Sequence, residues 1–472
     1  MECIKKTKII CTIGPSSWDP NILTKMINEG MNVARINGAF ADIPEIKRVG
    51  DLIKGLSNNV ALMLDIKGHE IRLNKINEKI HIKPEQEIII GSSINDALYP
   101  ATYLELYKDL TVGQIIIIDK GATFLEVTKI EDGKIYCKVN SGEMIESGKG
   151  MNLPGAKLSN SSLTEKDIEQ MKFIMEDNWD FVAGSFIRNV NDIKALRDIL
   201  KDSKVKIIAK IEDQQGVDNI DSIIEASDGI MIARGDMGTE LPYEKLPIIQ
   251  KELIYKCNKS AKPVIISTNM LESMIEKSMP TRAEITDVAN AVLDGTDAIM
   301  TSGETSNGKY PVETIITMSR IAKESEKYLV PYIIETTGLD KEKISVAITN
   351  AVFEFVLEVE QITKIVVFSK RGNTPKLLAR LNLPINIIAL VGDDTLKRQL
   401  NITKNVTPFV FKHDYTDRDA AVKGIIKFSL ENNILKAEDK ILLLGNLDYN
   451  CKGQENHTNI FEYLDVSCSL DN

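Results

Sequence analysis

Eight short apolar runs in this chain each break off on polar or charged residues. They are KIICTI (8–13), NVARI (32–36), VALMLDI (60–66), FVAGSFI (181–187), VKIIAKI (205–211), DGIMIARG (228–235), KPVIIST (262–268) and DAIMTS (297–302). At or just past their ends stand Thr12, Arg35 and Asn37, Asp65 and Lys67, Ser185 and Arg188, Lys210 and Glu212, Arg234 and Asp236, Thr268 and Asn269, and Ser302 and Glu304. Runs this short, rich in β-branched residues and separated by helix-length stretches, read as parallel strands buried on both faces. Eight in βα alternation predict a closed (β/α)₈ barrel of the TIM type, whose chemistry sits at the C-terminal ends of its strands.

The pattern changes after the third run. Residues 68–158 hold short alternating segments, among them KIHIK (79–83), QIIIID (114–119), FLEVTKI (124–130) and KIYCKV (134–139), with turn signals such as Glu131-Asp132-Gly133 between them. This predicts antiparallel strands, hence a small β-barrel lid inserted in a barrel loop. The barrel pattern resumes near Leu163. Thr281-Arg282-Ala283-Glu284 has the form of a capping box opening the helix before the eighth strand, and Gly295 stops that helix. Beyond Pro331 comes a helix at 343–358, then strands KIVVFS (364–369), NIIALV (386–391), VTPFVF (406–411) and KILLLG (440–445) alternating with helices. A loop over 446–457 leads to a last strand, NIFEYLDV (459–466). The predicted organisation is α/β throughout. A TIM-barrel catalytic domain spans 1–67 and 159–335, a lid spans 68–158, and a C-terminal α/β sandwich for regulation and oligomerisation spans 336–472.

Composition narrows the function classes. The chain is 43% hydrophobic and 27% charged, with a net charge of −10. An acidic balance argues against general nucleic-acid or anionic-membrane binding and leaves room for a local phosphate pocket. No run reaches the length of a membrane span, and the N-terminus lacks the apolar core of a secretory signal. The six cysteines (Cys3, Cys11, Cys137, Cys257, Cys451, Cys468) form no C-x-x-C pair, which fits a reduced cytoplasmic protein. The four histidines, His69, His81, His413 and His457, are too scattered for a triad or a multi-histidine metal site.

The strand ends carry the candidate chemistry. Lys210 and Glu212 share one face of a strand, and Asp236 stands at the end of the next run. Two carboxylates there can hold a divalent cation, and the lysine can stabilise a phosphoryl group or an enolate. A structural salt bridge in the barrel mouth would give the same pattern. Arg35, Lys67, Arg72 and Lys149 are candidate anion clamps; each taken singly reads rather as a solvated surface charge, and convergence of several at one barrel face would change that. The Thr268 and Ser302 hydroxyls can bind a carboxylate or help deliver a proton, or simply bond to local backbone. Gly235 permits close backbone approach, so the Gly235 and Asp236 N–H groups can receive a carboxylate.

With those residues in place, longer motifs resemble the pyruvate kinase family: KTKIICTIGPSS (6–17), GMNVARIN (30–37), LDIKGHEIR (64–72), KGMNLPGA (149–156), ASDGIMIARGDMG (226–238), NMLESMI (269–275), PTRAEITDVANAVLDG (280–295) and SGET (302–305). The resemblance runs in order along nearly the whole chain. It implies phosphoryl transfer from phosphoenolpyruvate to ADP, giving pyruvate and ATP, in a cytoplasmic homotetramer using Mg²⁺ or Mn²⁺ and K⁺. By motif match, Lys210 stabilises the transferring group and Glu212 with Asp236 holds the divalent ion. Arg35 binds phosphate. Gly235, Asp236, Thr268 and Ser185 join Lys210 and Arg35 in the substrate set. Arg72, Lys149 and Asn37 serve the nucleotide. Thr268 and Ser302 belong to the region that protonates the enolate. Asn37, Asp65 and the Ile66 carbonyl remain for K⁺.

The chain departs from the family at the end of the second run. Where the family reads Asn-Phe-Ser-His-Gly, it has Asn37-Gly38-Ala39-Phe40-Ala41, losing a hydroxyl ligand for K⁺ and a histidine near the nucleotide. The family's Asp-Thr-Lys-Gly-Pro-Glu is Asp65-Ile66-Lys67-Gly68-His69-Glu70 here, and Glu70 matches the K⁺-dependent branch. Segment 369–374 (Ser-Lys-Arg-Gly-Asn-Thr) resembles the family's loop for a phosphorylated effector, with Arg371 replacing a serine. Two other readings stay open from these residues: altered Mg²⁺–enolate chemistry on the same scaffold, and a weakly active regulatory protein that binds phosphometabolites.

Overall fold

A computed structural model describes residues 5–74, 79–91, 99–119, 121–159, 163–336, 339, 343–412, 418–445 and 460–467. Cys3, Cys451, Cys468, His413, His457 and the 446–457 loop lie outside them.

The eight apolar runs form β1 (Lys8–Thr12), β2 (Val33–Asn37), β3 (Ala61–Asp65), β4 (Phe181–Gly184), β5 (Lys206–Ile211), β6 (Gly229–Ala233), β7 (Val264–Ser267) and β8 (Ala298–Thr301). All pair in parallel with their neighbours, and β1 closes on β8. Strand alternation sorts the side chains. One set, including Ile10, Met63, Ala183, Ile208, Met231 and Ile265, packs together inside the barrel. The other, including Ile9, Leu64, Val182, Ile207, Ile232 and Ile266, joins the helices outside. The inward series does not stop at the top of this core. Two residues beyond Ile10, Met63, Ala183 and Ile208 stand Thr12, Asp65, Ser185 and Lys210. The polar mouth is thus the next layer of the same stack.

Between β3 and β4 the chain builds a six-stranded, mostly antiparallel sheet. Its strands run in the order Met151–Asn152, Ile115–Ile118, Thr123–Glu131, Lys134–Ser141, Glu87–Gly91 and Tyr99–Pro100. A two-stranded ribbon, Met144–Ile145 on Ile80–His81, shares its apolar core. The pairs at Tyr99, Met144 and Met151 are too short to show alternation in the sequence.

The C-terminal unit has four parallel strands, β9 (Lys364–Phe368), β10 (Asn386–Val391), β11 (Val406–Val410) and β12 (Lys440–Gly445). A fifth, β13 (Ile460–Asp465), pairs antiparallel with β12. Ile365 and Val367 pack with Val352 and Phe353 of the 343–358 helix, whereas Val366 and Phe368 pack with Ile425 and Ile426 on the other side. That two-faced burial is why these strands lack polar alternation. Ile402 from this unit plugs the floor of the barrel core. Around it, Arg398 Nε donates to both oxygens of Asp180 at 2.9 and 3.0 Å, and Lys404 Nζ donates to the Gly295 carbonyl at 2.6 Å. Among the described residues no helix is long and apolar enough to cross a membrane.

Candidate active site

Asp65, at the C-terminal end of β3, is the hub of the mouth. It is 2% exposed. Oδ2 accepts from Arg35 Nε at 2.8 Å and lies 2.7 Å from Nη2; Oδ1 accepts from Lys210 Nζ at 3.0 Å. Burial alone would raise its pKa, but Arg35 and Lys210 outweigh it and hold the carboxyl below its usual range. Arg35 Nη1 also donates to Thr12 Oγ1 at 2.8 Å.

Lys210 Nζ also donates to Ser185 Oγ at 2.6 Å and lies 3.1 Å from Glu212 Oε1. Burial would strip its proton, yet Asp65 and Glu212 raise its pKa, so it stays an ammonium. Glu212 accepts the Phe186 N–H at 2.6 Å. Its pKa is pushed up to about 7 by burial, and the Asp236 charge adds to the rise although Lys210 opposes it. A buried carboxylate strained by a second one close by is a donor set short of positive charge, and a divalent cation supplies it. The residues present therefore fit Mg²⁺ or Mn²⁺.

One expectation shifts in position. β6 ends at Ala233, and Arg234–Glu240 is a short helix. Gly235 and Asp236 stand on its first turn rather than on the strand. Gly235 N–H donates to Thr268 Oγ1 at 2.6 Å, so the two groups expected to share a substrate carboxylate do meet. Thr268 and Asn269 adopt left-handed backbone, φ 68° and 54°, unusual for residues with a side chain. Arg234 fixes that turn: Nη2 donates to the Thr268 carbonyl at 2.8 Å, while Nη1 donates to Asp287 at 2.7 Å. Ser302 follows β8, and its N–H donates to buried Glu304 at 2.7 Å.

Beside this mouth lies a cleft of about 290 Å³ under the inserted unit, lined by Arg72, Lys149, Asp236, Arg188 and His69 among others. Arg72 and Lys149 reach it from the inserted side, as expected, but neither touches the Lys210 cluster. Arg72 is bound by Glu70 at 2.5 Å and by the Gly148 carbonyl at 2.8 Å; Lys149 pairs with Asp119 at 2.7 Å. The sequence reading passed over Glu240. Its Oε1 accepts from Asn152 Nδ2 at 2.9 Å and from Leu153 N–H at 3.1 Å, pinning the inserted unit to the barrel. Glu240 belongs to no strand end, so only the fold brings it there.

The β2 end is built differently. Asn37 Oδ1 accepts the Ala39 N–H at 3.1 Å, and the Ile66 carbonyl accepts from Ser185 Oγ at 2.7 Å. Gln170 Nε2 donates to the carbonyls of Gly38 and Ala41, each at 3.0 Å. A Cβ on residue 38 would lie 2.5 Å from Gln170 Oε1 and 3.0 Å from the Asp65 carbonyl, so a side chain there would push Gln170 aside. Phe40 is 88% exposed. Of the positions expected to face K⁺, Asn37, Asp65 and the Ile66 carbonyl carry oxygens, and Ala39 has no side-chain oxygen.

Known proteins resemble this arrangement over most of its length. The family profile "Pyruvate kinase, barrel domain" matches residues 4–315, and "Pyruvate kinase, alpha/beta domain" matches 346–461. A pyruvate kinase of Bacillus licheniformis is 38% identical over 458 residues, covering 93% of this chain and 77% of that protein. One from Staphylococcus aureus is 38% identical over 455 residues, with 93% and 77% covered. The crystal structure of a pyruvate kinase from Cryptosporidium parvum superposes with a TM-score of 0.88 at 32% identity, covering 98% of this chain and 96% of that one. These likenesses do not favour the enolate-chemistry or purely regulatory readings. With its closed barrel, inserted sheets, C-terminal α/β unit and a buried lysine between two carboxylates, the chain belongs to the pyruvate kinase family.

Proposed function

We propose that this chain transfers the phosphoryl group of phosphoenolpyruvate to ADP, and that the residues read from the sequence carry the reaction. The observation that supports this best is Lys210: a buried ammonium held between Asp65 and Glu212, with Glu212 pushed up to about 7. Such a lysine cannot serve as a base. It can neutralise charge on a transferring phosphoryl group and on the enolate left behind. Arg35 faces the same space and holds the phosphate. Gly235 and Asp236 N–H groups, with Thr268 and Ser185, orient the substrate. Glu212 and Asp236 would hold Mg²⁺ or Mn²⁺, which would supply positive charge against the negative charge of the substrate.

An oxygen of the ADP β-phosphate bonds to phosphorus as the bond from phosphorus to the enol oxygen breaks. The enolate then takes a proton at its methylene carbon in the region of Thr268 and Ser302. Arg72, Lys149 and Asn37 serve the nucleotide from the hinge and lid side, residues 68–158 acting as the lid. Asn37, Asp65 and the Ile66 carbonyl would hold K⁺ weakly, for want of a hydroxyl at Ala39. Residues 336–472 serve regulation and a homotetrameric assembly, and the protein works in the cytoplasm. ATP formation from phosphoenolpyruvate and ADP with Mg²⁺, with and without K⁺, tests the proposal. Absence of turnover while phosphoenolpyruvate still binds would overturn it.

A further inference from the structure

The bend that follows β7 is strained backbone. Thr268 and Asn269 are consecutive left-handed residues, at φ 68° and 54°. Asparagine tolerates that conformation, but threonine, branched at Cβ, is a true outlier there. Such backbone persists only where its surroundings over-determine it.

Two side chains do so. Arg234 reaches in from the first residue of the 234–240 helix and is largely buried. Its Nη2 donates to the Thr268 carbonyl at 2.8 Å and lies 2.9 Å from Met270 Sδ, so it holds both sides of the bend. Its Nη1 donates to Asp287 Oδ1 at 2.7 Å and to Gln250 Oε1 at 3.4 Å, which anchors the guanidinium on the helices at 282–293 and 246–259. From the other side, Glu304 accepts the Leu271 N–H at 3.2 Å and the Ser302 N–H at 2.7 Å.

The grip on Thr268 comes from neighbours in sequence. The Arg234 side chain holds its carbonyl, and the next residue, Gly235, donates its N–H to the Thr268 hydroxyl at 2.6 Å. That hydroxyl in turn donates to the Ser267 carbonyl at 2.6 Å. Thr268 Oγ1 is therefore placed by backbone, and the backbone is placed by Arg234. A lysine cannot take this role, because a single ammonium does not reproduce the planar fork that spans Asp287 and the Thr268 carbonyl.

We propose that Arg234 is a positioning residue for protonation of the enolate: it locks Thr268 in left-handed backbone and so aims the hydroxyl, touching no reacting atom itself. This rests on the kinase reading and on the place that reading gives Thr268. The step can be isolated by running it backwards. Pyruvate bound without phosphoryl transfer yields a methyl proton to the group that normally supplies it, and the resulting enolate takes a deuteron back in heavy water. No bond to phosphorus forms or breaks in that exchange.

The test follows the methyl protons of pyruvate by NMR, in heavy water with Mg²⁺, beside steady-state formation of ATP. Arg234→Lys is expected to slow the exchange about tenfold or more, while ATP formation falls no more than about threefold and half-saturation for ADP stays within about twofold. Should that variant not fold, Asp287→Ala loosens the anchor and keeps the bond to Thr268; it is expected to slow exchange about two- to fivefold. Exchange at the wild-type rate in either variant would overturn the role of Arg234. So would exchange, ATP formation and ADP half-saturation all shifting by one common factor, the mark of general loosening. A wild-type protein that forms no ATP would sink the kinase reading and this inference with it, whereas an active wild type beside an unchanged variant sinks the inference alone.

Discussion

Two sides of the barrel mouth meet at Asp65 and are built on different principles. On the β5 side, Lys210 bonds to Asp65, Ser185 and Glu212 at once, and the charges of Lys210, Asp65 and Glu212 set one another's protonation states. On the β2 side, the turn from Asn37 to Ala41 is held by backbone bonds and by the neutral amide of Gln170, and Phe40 stands in solvent. A charge network fixes residue types, because every member is a counter-ion for another. A turn held by carbonyls asks only for a backbone that fits. The difference explains why the motif is intact on one side and rewritten on the other.

The contrast breaks most visibly at Lys210. Lys210→Met is expected to lower kcat by about 10²–10³-fold or more, because it removes charge stabilisation of the transition state. The fold should survive, since Asp65 keeps Arg35 and Glu212 can take a proton. Steady-state assays with circular dichroism check this, and near-normal turnover would mean the lysine is misassigned. Asp65→Asn cuts deeper into stability. It leaves Arg35 buried without its counter-ion and Lys210 with Glu212 alone, at a cost of about 3–5 kcal/mol. On the other side, Gly38→Ala forces Gln170 aside and is expected to cost about 1–3 kcal/mol. Urea unfolding of the two variants orders the sides; equal losses would erase the distinction.

What the sequence disclosed follows the same divide. Barrel strands announce themselves because burial on both faces leaves continuous apolar runs, and Lys210 and Glu212 follow from strand alternation. The capping box at Thr281 formed as read, with Glu284 Oε2 accepting the Thr281 N–H at 2.7 Å. Asp236 was read as a strand end although it opens a helix, because GDMG after an apolar run carries no strong helix-start signal. Gln170 and Glu240 were invisible as partners: one sits mid-helix, the other at a helix end, and their contacts lie 132 and 88 residues away. Asp65 as hub does not show in a linear pattern, since its partners come from separate strands.

Glu240 gives a test of intermediate size, between the inserted unit and the barrel. Its carboxyl is pushed up to about 7, by burial first and by Asp213 next. A carboxyl whose folded pKa lies above its unfolded value favours the fold while protonated. Its contribution is full below about pH 4.5 and lost as pH rises towards 7. Glu240→Gln keeps an acceptor for Asn152 and Leu153 and removes the titration. It is expected to flatten the fall in stability between pH 5.5 and 8 by about 1–3 kcal/mol. Thermal melts at the two pH values read this, and an unchanged slope in the variant would exonerate Glu240.

The smallest effect is expected where the motif was rewritten. Ala39→Ser puts a hydroxyl beside Asn37 Oδ1, in a turn where the Ala39 carbonyl already accepts from Lys166 at 3.2 Å. If Asn37, Asp65 and the Ile66 carbonyl bind K⁺, a fourth oxygen should lower the K⁺ concentration for half-maximal activity severalfold, worth about 1 kcal/mol. Stability should stay within about 0.5 kcal/mol, because the position is not part of the core. Initial rates across a K⁺ series, with Na⁺ holding ionic strength constant, measure the shift. An identical K⁺ response in the two proteins would show that the β2 side has given up the monovalent cation, and that Lys210 works without it.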